Sequence, residues 1–166
     1  MRRRRILPLT LLPLLGAGNA RALDSPAAPV VLTLSGRIGA VNRPGGLDFD
    51  MAMLERLPQA GYLARTPWFG ASRKFSGPLL RDLLALAGCQ GRELRAFALN
   101  DYRVDLPVDD ARRYDVIVAR LLDDRPMAVR DKGPLMIMYP FDGHPELRDA
   151  VHYGRCAWQL RGIEVL

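Results

Sequence analysis

Residues 135–139, Leu-Met-Ile-Met-Tyr, form an almost wholly apolar run of strand length. Such a run fits a central strand covered on both faces, and it demands a fold with layers on either side of it. Other stretches carry strand signals of a different kind. Val30–Ser35 leads into Gly36, while Leu94–Asn100, Tyr102–Leu106 and Trp158–Val165 alternate apolar and polar positions, the period of a half-buried strand. Val116–Leu122 and Pro126–Val129 flank Asp123-Asp124, which reads as a hairpin turn. Helices are few. Ser76-Gly77 supplies an N-cap region, Pro78 suits a first turn, and Gly88 stands where a C-terminal glycine cap belongs, with Leu79, Leu80, Leu83, Leu84 and Ala87 on one face between them. Met51–Leu57 is a second helix, capped by Asp50 and ended by Pro58, and a turn around Asp109–Arg113 is a third. Many short strands with two or three short helices predict a single β-rich α+β domain over residues 30–166.

The first 22 residues read MRRRRILPLTLLPLLGAGNARA: four arginines, an apolar stretch from Ile6 to Leu15, and small residues ending in Ala20-Arg21-Ala22. That order is the order of a secretory signal peptide. The apolar stretch is well short of the roughly 20 residues that span a bilayer, and prolines interrupt it. No later stretch is long and apolar enough to cross one, so the mature chain is expected in the periplasm without insertion into the membrane. Residues 23–29 (LDSPAAP) form a flexible lead-in. The leader also dominates the charge. It holds five of the 24 basic residues and no acid, so without it 19 basic residues face 18 acidic ones and the formal charge falls from +6 to +1. A nucleic-acid partner is not expected on that balance.

Several chemistries lack their residues. The two histidines, His144 and His152, sit in no ligand spacing, and Asp142-Gly143-His144-Pro145-Glu146 reads as a solvated turn. There is no G-x-S-x-G elbow, P-loop, G-x-G-x-x-G or C-x-x-C. Cys89 and Cys156 either form a disulfide or remain two buried thiols. What stands out is three loops. Thr66 to Gly77 carries Trp68, Phe69, Arg73, Lys74 and Phe75; Asn100-Asp101-Tyr102 interrupts two strands; Arg130-Asp131-Lys132 leads into the apolar run. Each also has a plain structural reading, as core packing, an Asx-type turn and a solvated hairpin tip respectively.

Taken in order, these stretches resemble the molybdopterin-binding domain of the sulfite oxidase family. The residues concerned are L-x-L-x-G at 32–36, Trp68 followed by FSGPLLRDLLALAG at 75–88, Asn100-Asp101-Tyr102, the run 117–140 with RDKGPL, and the closing strand 158–165. The resemblance implies that family's mixed, β-rich fold and a site for a pterin or molybdopterin-like ligand. It differs at the metal. Enzymes of the family hold molybdenum through a cysteine just before the tryptophan loop, whereas here residues 61–68 read GYLARTPW, with Thr66 in that region. A hydroxyl does not replace a soft anionic sulfur, so no molybdenum is expected. Short exported members lacking that cysteine bind pterins and report to membrane-bound regulators such as cyclic-di-GMP enzymes or histidine kinases. Carried over, the resemblance implies that Trp68 stacks on the ring and that Asp101 or Asp131 reads its hydrogen-bonding edge. Arg130 or Lys132 would donate to the ring carbonyl, with Thr66, Phe75, Asn100 and Tyr102 completing the wall. A molybdopterin-dependent oxidoreductase, or its cofactor-carrying subunit, is the alternative, and a ligand-free periplasmic interaction module is the third reading.

Overall fold

A computed structural model describes residues 23–166. The expected signal peptide at 1–22 lies outside them. Among the described residues, eleven strands and four α-helices make a sheet-rich α+β domain. Its main sheet has the order β2-β1-β11-β5-β6, from Gly46–Phe49 (β2), Leu32–Gly36 (β1), Leu160–Val165 (β11), Glu93–Ala98 (β5) and Arg103–Pro107 (β6). The last strand of the chain therefore sits in the middle. It runs parallel to β1, with Thr33 opposite Gly162, and antiparallel to β5. Alternation sorts the two faces as the sequence predicts: Leu32, Leu34, Leu94, Ala96, Ile163 and Val165 are buried, while Thr33, Ser35, Arg95 and Glu164 turn outward.

A second sheet has the order β3-β4-β8-β9, formed by Gln59–Ala64, Arg73–Pro78, Leu121–Leu122 and Arg125–Pro126. Ile117–Ala119 (β7) and Met136–Met138 (β10) form a two-stranded sheet, and Ile117 also makes a single antiparallel bridge to Leu79. The expected single strand at 116–122 is thus two. It breaks at Arg120, whose backbone N–H bonds Ser76 O and whose guanidinium reaches Gln59 and Glu55. The apolar run 135–139 is fully buried, as its composition requires, but it is not a central strand. Single bonds take the place of a second paired strand: Ile137 N–H donates to Ala157 O, and Leu135 O accepts from Leu160 N–H at the start of β11. Asp123 and Asp124 form the expected turn between β8 and β9, both with positive φ. The strand expected at 126–129 shrinks to two residues and gives way to a 3-10 turn at Val129–Asp131.

Helix α1 (Met51–Arg56) has its predicted cap, and α3 spans Val108–Arg113. Helix α2 (Leu80–Leu86) starts two residues later than Pro78, because Ser76 to Pro78 belong to β4. Gly77 is needed for close approach instead of capping: a Cβ there would collide with the Val118 carbonyl of β7. Helix α4 (Ala150–Arg155) is not anticipated by any apolar stripe; Asp149 caps it by accepting from His152 N–H at 2.8 Å. Its far side is anchored by Arg155, which with the buried Tyr139 hydroxyl donates to Asp110 of α3 at 2.9 and 2.7 Å.

The lead-in is held against the domain. Asp50, itself buried, accepts from Met53 N–H with one oxygen and from Ala27 and Ala28 N–H with the other, at 2.8 to 3.1 Å. The Met53 bond chiefly, with those of Ala27 and Ala28, outweighs burial and keeps the carboxyl below its ordinary range. A folded pKa below the unfolded value of about 3.9 contributes stability above that pH, and the contribution disappears as pH falls through the folded value. Asp50→Asn cannot accept from both groups of donors. Its denaturation midpoint should lie below that of the wild type at neutral pH, and the gap should narrow as pH is lowered from about 5 to about 2.

Candidate functional site

Between the end of β3 at Ala64 and the start of β4 at Arg73, eight residues leave the sheet and carry Trp68 and Phe69. Asp142 fastens both ends of this loop. It accepts from Arg65 N–H at 3.0 Å and from the Ser72 hydroxyl at 3.2 Å, and Arg148 donates to it at 3.1 Å. So held, Trp68 leans half-buried against two rings from the end of the chain. It meets Trp158 edge-to-face at 5.1 Å and Tyr153 of α4 at 5.9 Å. Contacts of this geometry contribute about 0.5–1.5 kcal/mol each beyond the area they bury.

These rings wall a cleft of about 310 Å³ lined by Trp68, Asn100, Tyr102, Tyr153, Cys156 and Trp158, with Gly154 at its back. The Tyr102 hydroxyl donates to Gly154 O at 2.8 Å and ties the 100–102 turn to α4. Asn100 accepts from Tyr102 N–H through Oδ1, which leaves its amide nitrogen as a donor at the edge of the cleft. Two buried polar atoms have no partner among the described residues: the Trp158 indole Nε1 and Thr66 Oγ1. Thr66 is only 4% exposed and lies two residues from Trp68. A buried group left unsatisfied costs about 1–3 kcal/mol, and folded proteins seldom leave two together.

Cations gather beside this cleft. Lys132 Nζ stands 4.0 Å from the Trp158 ring centroid and 5.5 Å from that of Phe69, and the Arg73 guanidinium is 5.1 Å from Phe69. With Arg130 and Asp131 they line a second depression of about 360 Å³. Gln159 connects the loops. Its N–H donates to Lys132 O, its carbonyl accepts from Leu99 N–H, and its side-chain amide donates to Val129 O at 2.7 Å.

The sequence-predicted residues divide accordingly. Trp68, Asn100 and Tyr102 come together in the cleft, and Lys132 joins them across Trp158. Phe75 does not: it is fully buried in β4 and backs Phe69 from the core at 6.1 Å. Asp101 lies outside the lining; its side chain is 87% exposed, because the residue adopts positive φ at the turn, and its nearest cation is Arg161 at 4.0 Å. Arg130 and Asp131 are exposed on the depression side and face each other at 3.6 Å. No carboxylate is therefore among the residues that line the cleft. Tyr153, Cys156, Trp158 and Gln159 were not singled out as site residues; the only signal was Trp158, the second tryptophan of the chain, which also reads as the start of a closing strand.

Cys89 and Cys156 are both free. The bridge considered from sequence is absent because the thiols sit apart in the fold: Cys89 follows α2, and Cys156 ends α4 inside the cleft wall. The Cys156 thiol points to His152 O at 3.6 Å, and burial pushes its pKa well above the ordinary thiol range. Among the described residues no three His, Cys, Asp or Glu side chains are grouped so as to hold a metal ion. His144 of the 142–146 turn is taken up by Glu146 at 3.1 Å and by the edge of Tyr114. No protein-family model matches this chain, and neither does any curated protein.

Asp142→Ala removes the clamp on the tryptophan loop without touching the core. It should lower stability by about 1 kcal/mol, and amide hydrogen exchange should quicken at Phe69, whose N–H bonds Thr66 O at 3.4 Å within the loop.

Proposed function

We propose that the chain is an exported binding protein for a small planar nitrogen heterocycle of the pterin class, and that it reports occupancy to the outer domain of a membrane-bound regulator, a cyclic-di-GMP enzyme or a histidine kinase. One observation carries the ligand half of this reading: a cleft walled by four aromatic side chains, one of which, Trp158, has a buried indole N–H with no acceptor among the described residues. A flat ring bearing carbonyl and ring-nitrogen acceptors meets both needs. It offers a π-face to indole and phenol rings, and an edge to Trp158 Nε1 and the Asn100 amide. A cleft of this size lies at the small end of the range for small-molecule sites. Lys132 over Trp158 adds positive potential beside an electron-rich guest.

The polarity of recognition differs from the one the resemblance implies. Donors of the protein read acceptors of the ligand, and the exposed Asp101 and Asp131 take no part. The regulator half rests on the leader-like N-terminus and on the resemblance. Signal transmission further requires that ligand bind two states of the protein unequally.

Quenching of intrinsic tryptophan fluorescence by added pterin, neopterin and tetrahydrobiopterin measures the affinity. Trp158→Phe keeps an aromatic face but removes the N–H together with one of the two fused rings, and it should weaken binding about tenfold or more, through the lost hydrogen bond and the lost ring contact. Trp68→Ala should weaken it about tenfold to a hundredfold. Equal affinity for wild type and Trp158→Phe, or no binding of any of the three compounds, would count against the reading.

A further inference from the structure

The outward face of the main sheet is mostly polar, as a solvated face should be, except along a groove of about 590 Å³ that crosses β1, β11 and β5. Its floor is made of small or flat groups, Thr33, Gly162 and Phe97, and three strongly exposed aliphatic side chains stand on its rim: Val30, Leu99 and Val129, each about half exposed (47%, 49% and 51%). Isolated exposed aliphatics need no explanation, but three around one concavity form a patch of the kind that marks an interaction surface. The charge of the groove has one sign. Arg43 and Arg161 line it and no acid does; Arg43 is held by Asp48 at 2.7 Å, whereas Arg161, half exposed, donates through Nε to Ala98 O at 3.0 Å and has Asp101 at 4.0 Å from its other end. The register of β11 against β5 slips between Leu160 and Gly162, an irregularity that leaves Arg161 outward at the groove's edge.

We infer that this groove is the docking surface for an extended segment of a partner protein carrying an acidic residue flanked by apolar ones, which would set its carboxylate on Arg161 and its apolar side chains between Leu99 and Val129. Sign excludes the nearest alternative occupant. The chain's own residues 1–22 are apolar but carry five arginines and no acid, so Arg161 would repel them. The position of the groove also suits a reporter of the aromatic cleft, and in this respect the inference rests on the function proposed above. Leu99 on the rim adjoins Asn100 in the cleft, and Val129 is bonded through Gln159 to the loop that places Lys132 on Trp158. Both binding surfaces thus share the same two loops.

Gly162 provides a clean test. A Cβ there would meet Thr33 O at 3.5 Å and Phe97 Cδ2 at 3.8 Å, ordinary contact distances, so the backbone accepts a side chain at 162 and Gly162→Phe places a ring in the groove. Random peptides displayed on phage are selected against the purified full chain, and the enriched ones are synthesised and titrated. The inference expects an acid flanked by apolar residues in the enriched set. Affinity should drop by about tenfold or more in Gly162→Phe and in Arg161→Gln, with melting temperature and pterin affinity unchanged. If Gly162→Phe fails to fold, Leu99→Asp replaces it with the same expected loss. Enrichment without acids, binding indifferent to these substitutions, or equal binding of a synthetic 1–22 peptide would each overturn the inference. Self-association abolished by Gly162→Phe would overturn it too, by making a second copy the occupant. Peptide binding that survives in a protein binding no pterin would leave the groove standing and remove the ligand reading alone.

Discussion

The insertion of the last strand between β1 and β5 is the constraint on which the rest of the molecule depends. Residues 160–165 join β1 to β5 in the main sheet, and the two residues before them are thereby brought beside its centre. Trp158 reaches Trp68 from there, and Gln159 reaches three separate backbone groups. The groove floor at Gly162 belongs to the same strand. One pairing of β-strands therefore sets the aromatic cleft, the junction beside it and the outer groove together.

Energetically the cleft is unlike the core next to it. The core closes on itself: Phe75, Ile137 and Tyr139 are fully buried, and the Tyr139 hydroxyl has its acceptor in Asp110. Beside the cleft, the buried Trp158 indole N–H and the hydroxyl of Thr66, two residues before Trp68, have no partner among the described residues. Interiors tolerate such gaps where a ligand or a bound water completes them. Clamps surround the gap, Asp142 on the tryptophan loop and the Asp110 network behind α4, so its walls are held in place before any guest arrives. Preorganisation of that kind lowers the ordering cost of binding.

Much of the frame was legible in the residues. The alternation at 94–98 and 160–165 set buried against outward faces correctly, and Asp50 capped its helix as its position before Met51 suggests. Other features escaped because their causes are not local. The break at Arg120 depends on partners from β3 and α1, and the start of α2 is delayed because Gly77 must pass close to β7. Helix α4 has no apolar stripe to announce it, and its only signal was the Asp149 cap. In the site, Trp68, Asn100 and Tyr102 were visible as loop residues of unusual composition, whereas Trp158 and Tyr153 meet them only through the topology. Phe75, within the same short stretch as Trp68, turned inward because strand alternation along β4 buries it.

The central claim is that this cleft is completed by a flat, acceptor-bearing guest. The most direct measurement is mass spectrometry of what the natively exported chain releases on denaturation, with fluorescence spectra of the released material and elemental analysis in parallel. The account predicts about one pterin-class heterocycle per chain, strongly reduced in Trp158→Phe, without stoichiometric molybdenum. A chain that releases no small molecule even when expressed with pterin in the medium, or that retains its guest undiminished in Trp158→Phe, would contradict it.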